Sequence, residues 1–534
     1  KGNSLYCRRD SGVYSFDMVL CVENKTRRRI FFIRGKIKVM RKPYISFCVW
    51  MMIFFLSSGM ILSSCGGKYE KCAESSNIVP TIFPDYTDVT VPVNIAPLNF
   101  EIKAAKHVKA IVEFEGKQVI KVEGSTVIDF PEKDWKRILG EAAGKCLVVK
   151  VSEWSEKHPG GIDYKPFSIF VSKDSIDPWI AYRLVPPGFE LWNRMGIYQR
   201  NLESFNQKTI IKNSQNNKGC VNCHSFCDYN PQNWLFHARG EGGSTIITVN
   251  GKTRKLPIEQ LGPKKSATYP YWHPSGNFVA FSSNLTRQTF YGISRNKIEV
   301  FDMNSDIIIY DVKNDRVLTD SRFCGSDDWE TFPAFSPGGK YLYMCVAHLG
   351  INEQQREMMQ SYFEKMKYAL IRVPFNSANG TLGEKIDTIY SPSQNGGSVS
   401  FPRISPDGRF LMFTKADCAT FPIQHVEADL KMIDLNTMRF VNTDILNSNS
   451  SDSYHSWSSN GRWIVFSSRR VDGKYTRLFF SHCDSKGKFT KPFMLPQKNP
   501  EQNGELLYAY NIPEFIKSPV VFSREKAAEL FRVK

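Results

Sequence analysis

Four stretches in the C-terminal half of the chain align with one another: "YPYWHPSGNFVAFSSN" from Tyr269, "TFPAFSPGGKYLYMCVA" from Thr331, "SFPRISPDGRFLMFTKAD" from Ser400 and "SYHSWSSNGRWIVFSSRR" from Ser453. Each reads as an aromatic-rich strand, a turn and a second strand. The turn accounts for the shared residues. Pro406 presets φ, Asp407 bonds its own backbone, and Gly408 supplies φ > 0 where the chain reverses, with Gly276, Gly339 and Gly461 in the same place in the other copies. Strands such as "RFLMF" and "RWIVF" are bulky and apolar at nearly every position, as in a sheet covered on both faces. A second strand pair follows each copy, for example "IIIYDVKNDRVL" from Ile307 and "LKMIDLNTMRFV" from Leu430. Two hairpins recurring at roughly 50 to 70 residues make a four-stranded blade, and blades bury both faces only by stacking in a ring. The fold class expected is therefore all-β, with a β-propeller.

The copies resemble the TolB-type propeller repeat, a strand, Ser-Pro-Asp-Gly and another strand. The fit is closest at Ser405 to Gly408; Asp is replaced at Ser275 and Gly338, and both Pro and Asp at Ser459 and Asn460. A further blade is expected around "LFHARGEGGSTIITVNGKTRKL" from Leu235, and another completed by "LLYAYNIPEFIKSPVVF", giving six blades over residues 232–534. Residues 78–180 read as short strands of partly alternating pattern divided by Gly, Pro and charged turns, the pattern of a small β-sandwich of immunoglobulin or fibronectin type. Residues 181–231 are expected to connect the two, with the polar "NQKTIIKNSQNNKG" as a loop. A helical insertion is expected at "NEQQREMMQSYFEKMKYAL", where apolar residues recur three and four apart.

The N-terminal region bears on compartment. From Met40, Arg41 and Lys42 precede an uncharged apolar run from Phe47 to Leu62, the layout of an export signal over residues 40–64. The run ends in Leu62-Ser63-Ser64-Cys65, which resembles the lipobox of bacterial lipoproteins. That resemblance implies lipidation of Cys65, a tether over 65–77, and a periplasmic or outer-membrane protein anchored by its N-terminal lipid. Residues 1–39 read as upstream sequence without function. The formal charge of +17 is concentrated at this end: residues 1–46 carry twelve Lys or Arg against Asp10, Asp17 and Glu23. The remainder is only modestly basic and has no basic stripe interleaved with aromatics, so no nucleic-acid partner is expected. Thirteen cysteines in a chain of this length do not make a disulfide scaffold.

One motif carries chemistry: Cys220-Val221-Asn222-Cys223-His224. Two thiols at this spacing add across the two vinyl groups of a porphyrin, and the adjacent imidazole then falls under the iron. The motif resembles the attachment site of c-type cytochromes, and it implies covalent haem c on Cys220 and Cys223 with His224 as proximal ligand. Zinc held by Cys220, Cys223, Cys227 and a histidine is the alternative, and a disulfide or unmodified thiols a third. Met195 or His237 are the candidates for the sixth iron position, with His273 and His455 further off. Lipobox, sandwich, "CVNCHSF" and TolB-like repeats together resemble a family of exported Bacteroidetes-type propeller proteins with one haem motif. No G-x-S-x-G nucleophile elbow occurs, and no catalytic acid/base pair is assigned. The expected function is single-electron transfer with the propeller as a docking platform for protein partners. The alternatives are a propeller that binds a peptide, glycan or protein with the haem structural or sensory, and a haem enzyme with an open distal position.

Overall fold

The computed structural model describes residues 4–10, 13–24, 27–37, 69 and 71–531, apart from 187–193, 242, 257–265, 291–297, 326–327, 349, 351–354, 356–357, 359–361 and 420. The expected signal segment and Cys65 lie outside the described residues. So do residues 352–354, 356–357 and 359–361 of the expected helical insertion; its part from Tyr362 onward forms the 3-10 turn Phe363–Lys365 and the start of the strand Ala369–Asn376. Two compact units result. The first holds three antiparallel strands, Ser4–Asp10, Val13–Asn24 and Arg27–Ile37. The second comprises everything from Lys71 and is all-β apart from short helices.

In that second unit six sheets form a closed ring, a six-bladed β-propeller. The innermost strands are Val221–Cys227, Thr268–Trp272, Asp328–Phe335, Ser398–Ile404, Asp452–Trp457 and Ala509–Ile516, and each packs on the next, the sixth on the first. Blades 1 to 5 follow the chain outward from these strands. Blade 6 does not. Its inner strand Ala509–Ile516 pairs with Trp179–Val185, which pairs with Gly196–Asn201 and then Gln207–Lys212. The ring is thus closed by a strand from one end of the propeller inserted beside three from the other.

This corrects the expected connection over 181–231: it supplies the outer strands of blade 6 and the inner strand of blade 1, and the propeller begins near Trp179. The polar stretch expected as a loop contains the strand Gln207–Lys212 because this is the outermost edge of its blade, where four of its six residues face water.

The turns form as their residues require. Gly276, Gly339, Gly408 and Gly461 have φ between 67° and 76°. At the most regular copy, Gly408 N–H donates to Ser405 O (2.8 Å), Arg409 N–H to Asp407 Oδ1 (3.1 Å) and Phe410 N–H to Ser405 Oγ (2.8 Å).

Every inner strand is also kinked at one residue in the left-handed region: Cys223, Tyr269, Phe332, Phe401, Tyr454 and Ile512, with φ from 43° to 52°. In each case the strand register shifts there, as at a β-bulge. The six pentads about the kinks are "NCHSF", "TYPYW", "TFPAF", "SFPRI", "SYHSW" and "NIPEF". Four have proline after the kinked residue, a place in a sheet where the missing N–H is tolerated. Blades 1 and 5 have His224 and His455 instead.

Residues 71–176 form a mixed seven-stranded sheet centred on Cys146–Ser155, with Ala105–Phe114 and Lys117–Gly124 on one side. In place of the second full sheet of a sandwich, the ribbon Phe100–Glu101/Val127–Ile128 and the helix Glu132–Glu141 cover one face. Trp135, Ile138 and Leu139, spaced three and four apart, enter the same core as Val108, Val112, Val149 and Val151. That core continues into blades 5 and 6 through Trp463, Phe480 and Tyr182. Polar contacts fix the junction: Trp463 Nε1 donates to Asp174 O (3.1 Å), and Ser459 N–H and Oγ both donate to the Asp177 carboxylate (2.7 and 2.6 Å).

Candidate functional site

The kinked residues put their side chains at the ring's centre. Tyr269, Phe332, Phe401 and Tyr454 meet in series, tilted or edge to face, with centroid separations of 4.4, 4.2 and 4.4 Å between neighbours. The two remaining sectors hold Cys223 and Ile512, so the circle of rings is incomplete where the Cys220–His224 motif lies. Cys223 is therefore the blade 1 member of a six-fold set, small where four of its equivalents are aromatic.

All three motif side chains are enclosed. Cys220 is 5 % exposed, Cys223 2 % and His224 2 %. Cys220 packs among Met195, Ile197, Ile211 and Trp234, and Cys223 faces Tyr269 and Tyr454. No side chain hydrogen-bonds the His224 ring; the backbone groups of Ala181 and Ile512 lie beside it and favour its protonated form. Burial holds the imidazole neutral, pushing its pKa down to about 3, with the positive Arg183 acting in the same direction. Burial pushes both thiols up, against the pull of Arg183 and Arg239.

Those arginines were not singled out from sequence. Arg183 comes from the second strand of blade 6 and donates through Nη1 to Asn222 Oδ1, inside the motif. Arg239 follows the second strand of blade 1, and its N–H donates to Cys220 O (2.8 Å). Arg469, which follows the second strand of blade 5, reaches Gln424 Oε1 (3.0 Å), and burial holds its guanidinium down at about 10. None of the three forms an ion pair with a carboxylate among the described residues, and the Nε of Arg183 and of Arg469 is buried without a partner. Of the three, Arg469 feels the charge of Asp472, while Arg183 is buried and bonds only the neutral Asn222, a placement that an anionic guest would offset.

The other expected residues divide. Met195 shares the apolar cluster of Cys220. His237 lies directly across from Asn222 on the adjacent strand, its Nδ1 held by Thr245 Oγ1 at 3.0 Å. His273 is committed to its turn, Nδ1 to Ser275 Oγ (2.7 Å) and Nε2 to Gly339 O (3.1 Å), and His455 occupies in blade 5 the position of His224 in blade 1. Cys227 points away, its thiol toward His273 O at 3.6 Å, and packs in a different cluster from Cys220. Among the described residues no three His, Cys, Asp or Glu side chains converge as metal ligands, so this arrangement does not assemble the zinc alternative.

The residue types that haem c would use, two thiols and an imidazole held neutral by burial, stand together here and are all enclosed, and His455 shares the buried, neutral state of His224 without thiols beside it.

At the opposite end of the ring, where the inner strands finish, a cavity of about 240 Å³ opens between blades, lined by Ser225, Tyr271, Arg403, Trp457 and Glu514 among others. Glu514 accepts the N–H of Phe226 (3.1 Å), and Arg403 stands over the Tyr271 ring at 4.9 Å.

Fold and sites define the class, an all-β protein with a six-bladed propeller. No family model and no curated relative matches the sequence. Among solved structures the chain is similar to TolB from Acinetobacter baumannii, at 14 % identity and a TM-score of 0.40 over 72 % of this chain and 85 % of that one. It is also similar to the periplasmic gluconolactonase of Pseudomonas aeruginosa, at 12 % identity and a TM-score of 0.32 over 60 % and 96 %. A third is a putative dipeptidyl aminopeptidase IV from Bacteroides ovatus, at 13 % identity and a TM-score of 0.27 over 60 % and 61 %. Among the described residues no helix is long and apolar enough to cross a membrane.

Proposed function

We propose that the chain is an exported, lipid-anchored propeller with one covalent haem c, acting as a single-electron carrier toward protein partners. The observation that carries the reading is the buried His224 imidazole, bonded by no side chain, beside two thiols and the guanidinium groups of Arg183 and Arg239, neither in an ion pair. A bound haem would supply one-electron oxidation and reduction at its iron. Cys220 and Cys223 would hold it as thioethers, and His224, neutral by burial, would offer a lone pair to the iron. Arg183 and Arg239 would face its carboxylates. The enclosing blades exclude water from the site, a condition that raises the potential of such centres. Met195 and His237 are the candidates for the sixth position, and the choice between thioether and imidazole sets a higher or a lower potential.

The test is intact mass and haem-reducible absorbance of protein made in a host with haem-ligation machinery. A covalent haem increment that disappears in C223S, with the fold retained, supports the proposal. Colourless wild-type protein overturns it. A second reading, a propeller that binds a peptide, glycan or protein with the haem structural or sensory, is favoured by the cavity where the inner strands finish, whose wall includes Ser225 and Phe226 but none of Cys220, Cys223 and His224.

A further inference from the structure

Arg403 and Glu514 occupy the same repeat position, two residues after the kink, in blades 4 and 6. The six residues at this position are Ser225, Tyr271, Ala334, Arg403, Ser456 and Glu514, one cation and one anion, while the further carboxylate on the wall, Asp228, is paired with Lys517 at 3.3 Å. The two are close enough for Arg403 to lower the proton affinity of Glu514, yet they form no ion pair with one another. Arg403 donates instead to Pro402 O (2.9 Å) and stacks on Tyr271, while Glu514 has one N–H, that of Phe226. Burial dominates at Glu514 and pushes its carboxyl up to about 7. Both indoles of the wall are fixed between blades, Trp272 Nε1 donating to Ser225 O and Trp457 Nε1 to Arg403 O, each at 3.3 Å. The two indoles thus tie neighbouring blades together at the wall, and the two charges stand apart, without an ion pair between them.

We propose that this mouth binds a short zwitterionic peptide, its ammonium group toward Glu514 and its carboxylate toward Arg403. An enclosed pair of opposite charges held apart is costly to the protein alone. A ligand bearing both complementary charges offsets both at once, which a neutral glycan does not. Charge-assisted hydrogen bonds from a guanidinium to a carboxylate are among the stronger contacts available, and the Tyr271 and Trp457 faces add apolar area. The cavity of about 240 Å³ lies near the lower limit of small-molecule sites, so it suits two or three residues and excludes a folded domain. The inference deepens the binding reading and does not depend on haem.

The test uses the full chain and titrates Ala-Tyr, N-acetyl-Ala-Tyr, Ala-Tyr-amide and maltose by calorimetry and tryptophan fluorescence. Expected is saturable binding of the free dipeptide, weakened about tenfold or more by either cap, a loss of about 1.4 kcal/mol per cap. In E514Q the acetylated and free peptides should bind alike, and in R403Q the amide and free peptides should. This pairing of variant with cap separates ligand contact from general damage to the fold. No saturable binding of the dipeptide, or binding that ignores both caps, overturns the proposal. If maltose alone binds, the zwitterion is wrong while the mouth remains a binding site.

Discussion

His425 is the place where pH should act most visibly on stability. The loop after the second strand of blade 4 carries it to the long hairpin of blade 2, where its Nε2 lies 2.8 Å from Glu299 Oε2 and its Nδ1 2.7 Å from Glu427 Oε1. His425 and Glu299 are each 1 % exposed. Burial alone would favour the neutral ring, but the hydrogen bonds and charges of the two carboxylates outweigh it and raise the pKa from 6.5 to about 9. A histidine with a raised folded-state pKa contributes stability that is fully present below about 6.5 and is lost as pH rises through about 9. The difference of some 2.5 units corresponds to about 3 kcal/mol as an upper figure.

Replacing His425 with Gln keeps most of the volume and leaves Glu299 buried without a cation, so at pH 6 the variant should be less stable by about 3 kcal/mol. By pH 10 wild type has given up its advantage, and the gap should shrink to about 1 kcal/mol or less. Cys418, whose thiol burial pushes up to about 12, stays neutral through this window and does not obscure the result. Urea unfolding followed by tryptophan fluorescence at pH 6, 8 and 10 reads the gap. A difference between wild type and H425Q that is constant from pH 6 to 10 would refute the charged-histidine argument, because a purely steric loss has no such slope.

G408A should cost only about 1 kcal/mol, since nothing lies within 4 Å of the added carbon and the penalty is the positive φ alone. G339A should cost clearly more in a parallel thermal melt, because its Cβ would lie 2.3 Å from His273 Nε2 and displace the bond to Gly339 O. W463A, which removes a fully buried indole and its bond to Asp174 O, should destabilise by about 3 to 5 kcal/mol. Limited proteolysis should then release the 71–176 sheet before the propeller is cut. Finally, folded protein prepared without haem should fail to take it up covalently when given haem and reductant, since both thiols are enclosed; capture after folding would show that blade 1 opens readily.

What the sequence determined by itself is what short-range chemistry can specify. The turn residues Ser405 to Gly408 fix a reversal by their own backbone preferences, and apolar residues at nearly every position of "RFLMF" and "RWIVF" require sheet covered on both faces. The repeat of that unit then leaves a ring as the way to cover it, and the five-residue motif at Cys220 is legible from spacing alone. The helix Glu132–Glu141 had a readable signal in Trp135, Ile138 and Leu139, but one helix among strand patterns is easily overridden. The tertiary structure alone decided how the ring closes. Nothing local in "NIPEF" says that Ala509–Ile516 will pair with Trp179–Val185, because that choice depends on which open sheet edge remains once five blades have packed. Closure also places "NCHSF" in register with the other five inner strands, setting Cys223 at the gap in the aromatic circle. The same step brings Arg183, Arg239 and Arg469, and at the other mouth Arg403 and Glu514, from distant segments to common centres. Such convergence is a property of packing, since charges far apart along a chain become neighbours only when the core they border has formed.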